Sequence, residues 1–253
     1  MFFIKKDKQI NDPRREFLVR ALTVGAFAAS GAMGLLLPLQ ARASSIFGKM
    51  PRKVPDGKSF FSIEGDVRVN GEPATEDTVV QVSDTVLTGD KSQAVFVVGK
   101  DAFILRSNSE LKLAGSGALL TNMRLLTGKL LSVFGKRGKK DPRLALVSPT
   151  ATIGIRGTGV YMESEPDLTY LCTCYGVVNM SSIEDPASQE TIAAQHHDAP
   201  RYILAKGEAG KRIRPAPMLN HEDIELLLIE ELVGRTPPFD VKDAGYSAPR
   251  RGY

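Results

Sequence analysis

From Phe60 onward the apolar residues come in short runs bounded by Gly, Pro, Asn, Asp or Ser. Val67 and Val69 alternate with Asp66 and Arg68 just ahead of Asn70-Gly71, and both turn residues tolerate the positive φ of a tight hairpin. Further runs span Val79 to Val82, Ala94 to Val98, Ala102 to Leu105, Leu119 to Leu126, Leu130 to Phe134, Leu144 to Val147, Val160 to Met162 and Leu168 to Met180. Short runs of Val, Ile, Leu and Phe with turn signals between them predict an all-β chain, a compact sandwich or roll, rather than long helices or βαβ units. Two echoes, Leu87-Thr88-Gly89 with Leu126-Thr127-Gly128 and Gly65-x-Val67-x-Val69 with Gly176-x-Val178-x-Met180, fit either similar layers of a roll or chance.

The pattern changes at Asn220. Asn is a good cap, Glu222 and Asp223 suit the positive end of a helix dipole, and Gly234 with Pro237 supplies a stop, so 220–235 is expected to be helical. Ile224, Leu226, Leu227, Leu228, Ile229, Leu232 and Val233 cover most of its circumference and leave Asp223 with Glu230 as a narrow polar stripe. Such a helix docks deeply on the β domain or meets a partner. The chain then divides into 1–43, a Pro- and Gly-rich linker 44–58, a β domain 59–182, a polar connecting segment 183–219, the helix 220–235 and an extended tail 236–253.

Residues 1–43 read as an export signal. Ala21 to Ala41 is free of charge and follows a basic stretch, and Ala41-Arg42-Ala43 has the small-x-small form cut by signal peptidase. Arg14-Arg15-Glu16-Phe17-Leu18 resembles the twin-arginine motif, which implies export of an already folded protein to the periplasm, often with a cofactor aboard, and no integral membrane segment after cleavage. The same segment explains the charge. It carries seven basic and three acidic side chains, which accounts for the whole net charge of +4; the remainder is balanced. A balanced body lacks the footprint of a nucleic-acid binder, whose affinity rests on phosphate neutralisation.

Ser148-Pro149-Thr150-Ala151-Thr152-Ile153-Gly154-Ile155-Arg156-Gly157-Thr158 resembles the signature of the FecR-type periplasmic domain. Leu87-Thr88-Gly89-Asp90 with Ser92, Ala102 to Leu105 with Asn108 and Leu111, Thr127-Gly128-Lys129-Leu130 and Gly176-Val177-Val178 follow the family's order over about residues 59–182. The resemblance implies an all-β domain in which Pro149, Arg156, Gly157 and Thr158 are structural. Arg156, between two glycines, is expected to serve as an internal staple whose guanidinium satisfies several carbonyls at once. FecR itself carries a cytoplasmic segment acting on a sigma factor and a membrane-spanning helix. Here a twin-arginine signal stands in their place, so the domain carries over and the sigma-factor circuit does not. An envelope protein or a second copy of the chain is the partner so implied.

Cys172 and Cys174, the only cysteines, fall two apart in a strand and therefore on one face. A disulfide between them would close a small, strained loop, whereas two parallel thiols suit a soft or borderline metal. His196-His197 lie 22 residues beyond Cys174, and His221 at the helix start is a third imidazole. The set Cys172, Cys174, His196 and His197, with His221 in reserve, suits zinc, copper or iron, although its spacing matches no zinc finger. Buried apolar cysteines and surface histidines are the plainer alternative. Lys136-Arg137-Gly138-Lys139-Lys140 reads as a solvated hairpin tip or a contact for acidic head groups and envelope polymers. No nucleophile elbow, phosphate loop or metalloprotease helix is present, so the sequence points to binding or scaffolding rather than catalysis, with a small metalloprotein as the alternative.

Overall fold

The computed structural model describes residues 53–239; the signal expected over 1–43, most of the linker and the tail beyond Phe239 lie outside them. Asn70 and Gly71 take φ of 54° and 88°, and Val69 pairs with Glu72 across a two-residue turn, as their tolerance of positive φ allows. The hairpin joins β2 (Val67–Val69) to β3 (Glu72–Pro73). It is followed by β4 (Thr85–Thr88), β5 (Gln93–Val98), β6 (Asp101–Leu105), β7 (Ser109–Ser116), β8 (Leu119–Val133), β9 (Leu144–Val147), β10 (Ala151–Ser164) and β11 (Leu168–Ser182). β1 (Phe60–Glu64) precedes them, and β12 (Gln189–Ala194), β13 (Arg201–Leu204), β14 (Ile213–Pro215) and the helix α1 (Asp223–Leu232) complete the described chain. The fold is all-β with a single C-terminal helix among the described residues.

All fourteen strands belong to one hydrogen-bonded sheet, antiparallel except where β8 meets β9. Its long strands change partners along their length. β10 pairs with β9 at Thr152–Ile155 and with β8 at 159–164; β11 pairs with β13 at 168–171 and with β12 at 176–181. The change falls at a register shift between Arg156 and Gly159. Gly176 sits there at φ 87°, and a Cβ would come within 2.5 Å of Thr158 Cγ2, so only glycine lets the strands cross this closely.

One apolar core fills the inside of the curled sheet, with Phe96, Phe103, Leu111, Met123, Leu130, Leu146, Ile153, Met162 and Val178 among its members. A second layer lies on the other side. Ile104, Leu131, Tyr161 and Cys172 follow one another across β6, β8, β10 and β11, all buried, and α1 contacts β6 and β8. Strands covered on both faces lose polar alternation, which is why Tyr170 to Tyr175 is buried throughout. The helix docks within the chain, through Leu226, Leu228, Ile229 and Leu232. Each fully buried Leu or Ile contributes about 1.5–3 kcal/mol relative to exposure. No helix among the described residues is long and apolar enough to cross a membrane.

Several expectations need correction. Val79 to Val82 forms no strand; Val80 is buried and its N–H donates to Ser59 Oγ at 2.9 Å. The runs at Leu119 and Leu130 are one strand. The segment 183–219 holds three short strands: β12 and β14 lie at edges of the sheet, and β13 runs between β11 and β14. Asn220 is not the cap: it turns the chain at φ 61° and donates to Glu163, while the cap is Glu222, whose N–H donates to Glu225 Oε2 at 2.9 Å. The polar stripe also faces inward. Asp223, Glu225 and Glu230 are buried, and the outward side carries Ile224, Leu227 and Glu231. Their carboxylates have partners: Glu225 meets Arg106 Nη2, just past β6, at 2.9 and 3.0 Å, and Glu230 accepts from Tyr175 on β11 and, at 2.6 Å, from Arg235 just beyond the helix.

Candidate metal centre

Cys172 and Cys174 project from β11 toward α1, both free and 0% exposed. The loop after β12 is tied back to this strand, because the His197 N–H donates to Cys174 O at 2.8 Å. That bond brings His197 over the thiols. The segment entering α1 brings His221, held by stacking on Tyr161 with ring centroids 4.5 Å apart. Sγ of both cysteines and one ring nitrogen each of His197 and His221 all lie within 4.8 Å of one another. Cys172 Sγ is 3.6 Å from His197 Nδ1, and His221 Nε2 is 3.1 Å from the same nitrogen. Tetrahedral bonds of about 2.3 Å to sulfur and about 2.0 Å to nitrogen would put neighbouring donors about 3.3–3.8 Å apart.

Both imidazoles are oriented from behind. His221 Nδ1 donates to Leu219 O at 2.6 Å, and that carbonyl can only accept. His197 Nε2 donates to Asp223 Oδ1 at 2.7 Å. Each outer nitrogen therefore carries its proton, and the two inner nitrogens face each other and the thiols. This is the carboxylate- or carbonyl-backed histidine arrangement of metal ligands. Two lone pairs so close need a cation between them, either a metal or a proton.

The charges agree with a shared proton when no metal is bound. Burial works against ionisation of Cys172, but hydrogen bonding from Cys174 and the neighbouring His221 and His197 outweigh it and bring the thiol well below its ordinary value. Burial and the adjacent Cys172 push the Cys174 thiol up. Burial disfavours the His197 imidazolium, yet Asp223 and Cys172 raise it to about 9. Asp223, despite burial, is lowered by His197 and His196.

His196 is not among the four inner donors. It is turned to the far side of Asp223, with Nε2 2.9 and 3.0 Å from the carboxylate oxygens, a side chain 40% exposed, and Phe239 packed at 4.5 Å. His221 takes the place expected for it. Adjacent residues in a turn diverge, and His197 at φ 53° is the one aimed inward. Asp223 reads from sequence as a first-turn acid suited to the helix dipole and as part of a polar stripe; the one signal that ties it to the histidines is its place two residues after His221. Cys172, His197 and Asp223 also have the order of a thiol, a base and an orienting acid. Full burial beneath α1 keeps substrates from that sulfur.

The signature residues lie elsewhere. Pro149 is exposed in the β9–β10 turn, and Thr158 is buried. The staple is made by hydroxyls: Ser148 Oγ and Thr150 Oγ1 each lie 2.6 Å from Thr169 Oγ1, and Thr150 donates to Ile203 O at 3.1 Å. Arg156, expected to be that staple, is exposed beside the register shift, where Gly157 at φ 57° turns it outward from the strand.

No protein-family model matches the chain, and no curated protein matches it. Two crystal structures of a "putative anti-sigma factor" from Parabacteroides distasonis ATCC 8503 are similar in fold, each with a TM-score of 0.41 and 10% sequence identity. The match covers 52% of this chain and 58% of theirs.

Proposed function

We propose that this chain is an exported, non-catalytic FecR-type β-domain protein whose closing helix is pinned by a metal ion, and that the ion is zinc. The observation that carries this reading is the set of four buried donors, Cys172, Cys174, His197 and His221, with both imidazoles backed by acceptors. A closed Cys2His2 set suits zinc, or copper in its reduced state, better than iron, and leaves no open position for a substrate. The role is therefore structural: the ion ties β11, the loop after β12 and the entry to α1 together. The residue order of the signature region and the twin-arginine segment support export and an envelope partner for the β domain.

Elemental analysis of protein recovered from its native compartment tests the metal. About one zinc per chain is expected, retained in His196→Ala and lost when Cys172 and Cys174 are both replaced by Ser. Native protein without metal, with a melting temperature indifferent to added zinc, copper or iron, would overturn it. Export is tested separately: Arg14→Lys with Arg15→Lys should leave an uncleaved precursor inside the cell, and unchanged export would mean ordinary secretion.

A further inference from the structure

The loop between β8 and β9 stands beside the outward face of β10 and β11, and the two enclose an open groove of about 940 Å³. Lys136, Lys139, Arg143 and Arg156 line it, all four exposed, and none pairs with a carboxylate among the described residues. The acid in the groove is already engaged: Asp141 accepts from the Gly138 N–H at 2.8 Å and lies 3.5 Å from Lys100 Nζ. The cations are thus concentrated in a molecule whose body is neutral as a whole. Like charges gathered without counter-charge repel one another, and a bound anion relieves that repulsion.

The floor narrows the chemistry. Thr152 pairs with Ser181 and Gly154 with Asn179 on the groove side of the strands, so hydroxyl and amide groups stand beside a position with no side chain. None of the lining residues is aromatic, which removes the stacking platforms used for bases and for the apolar faces of neutral sugars. What remains is charge pairing plus hydrogen bonding in a recess. Arg143 and Arg156 offer planar forks for carboxylate or phosphate, and the floor offers partners for ring hydroxyls.

We propose that this groove binds an acidic saccharide, a sugar chain carrying carboxylates or phosphates. The site is separate from the metal centre and does not depend on it. The full mature chain would be titrated with oligogalacturonate as the carboxylate probe and phosphorylated mannan as the phosphate probe. Dextran, single-stranded DNA of equal charge and phosphatidylglycerol vesicles would be the comparisons. Binding of one or both acidic glycans is expected, weakened by added salt, with a loss of at least about tenfold in Arg143→Ala/Arg156→Ala. Gly154→Glu should abolish it. A Cβ at Gly154 meets nothing closer than Asn179 O at 3.6 Å, so this variant keeps its fold, which an unchanged melting temperature would verify. Absence of binding to both acidic glycans, equal or tighter binding to DNA, dextran or vesicles, or binding indifferent to Gly154→Glu would each overturn the proposal.

Discussion

On the outward side of β10, Thr152 and Gly154 are half-buried in an open groove and Arg156 stands in solvent, whereas Tyr161 and Glu163, farther along the same strand, are 0% and 6% exposed beneath the segment that leads into α1. β11 divides in the same way: Asn179 and Ser181 border the groove, and Cys172 and Cys174 are sealed. The backbone ladder is continuous through both regions. What differs is whether a helix covers the face, and that decides how polar groups behave. Under α1 each acid must find a donor, because an unpaired buried charge costs several kcal/mol. Hence Glu225 lies on Arg106, Glu230 on Tyr175 and Arg235, and Asp223 on two histidines. In the groove water satisfies the cations, and they remain available to a ligand.

The comparison breaks most sharply if the cover is removed. Leu228 is 3% exposed on the inward side of α1. Leu228→Asp puts a charge without a partner into the second layer and should cost on the order of 4 kcal/mol or more, enough to undock the helix. Thermal unfolding should shift strongly downward, and metal retention should fall with it because His221 leaves with the helix. Unchanged melting and metal content, with self-association or partner binding lost, would make α1 an interaction surface instead.

A smaller break leaves the helix intact. Glu225→Gln keeps the shape but leaves Arg106, 3% exposed, without its anion. Removing one partner of a buried pair costs about 3–5 kcal/mol, and the amide returns part of this through its remaining acceptor. Denaturant unfolding should show a loss of about 2–3 kcal/mol at unchanged slope. A change below 0.5 kcal/mol, roughly the surface level, would mean that the covered region tolerates charge as the groove does.

The metal-free protein should also show a distinctive pH profile. His197, raised to about 9 from 6.5, contributes stability that is full below 6.5 and lost as pH rises through about 9. Cys172, lowered, contributes stability that is full above the ordinary thiol value near 9.0 and lost as pH falls toward its folded value. Between 6.5 and 9 the two slopes cancel, since the folded pair and the unfolded pair bind the same number of protons. Asp223, lowered from 3.8, adds stability that is present above 3.8 and lost below it. Chelated protein should therefore be flat from about pH 6.5 to 9 and weaken on acidification. Zinc affinity should rise across that flat window, because binding displaces protons from Cys174 and His197. A metal-free stability that falls steadily from 6.5 to 9 would remove Cys172 from the charged pair.

The two regions were not equally legible in the sequence. Asn70-Gly71, the strand runs and the shared face of Cys172 and Cys174 follow from local rules: turn φ and a period of two. The inner pairing of His197 with His221 does not, since it depends on one backbone bond to Cys174 and on where α1 docks. The helix reads from sequence as apolar over most of its circumference, and Leu226, Leu228, Ile229 and Leu232 are buried in the structure. Its polar stripe faces inward, which hydropathy cannot see, because Arg106 beyond β6, Tyr175 on β11 and His197 in the loop after β12 stand opposite the acids. β12 and β14 escaped for a related reason: edge strands are short and keep polar residues on their open side, as the alternation over Gln189–Ala194 shows; β13, four residues held between β11 and β14, is too short to show a period.

Arg156 gives the smallest expected effect and the cleanest contrast. Read from sequence it is a staple, and a staple's loss would leave buried carbonyls unsatisfied at about 1–3 kcal/mol. In the structure it is exposed, and the hydroxyls of Ser148, Thr150 and Thr169 hold the turn in its stead. Arg156→Ala should therefore change stability by no more than about 0.5 kcal/mol, while Thr150→Val, which removes the bonds to Thr169 and to Ile203 O inside the sheet, should cost about 1–3 kcal/mol. Measured side by side by thermal unfolding, the pair separates the covered and open regions within one signature. If Arg156→Ala proved the more destabilising of the two, its guanidinium would belong to the frame of the domain, and the groove would lose the cation on its floor that the strand itself supplies.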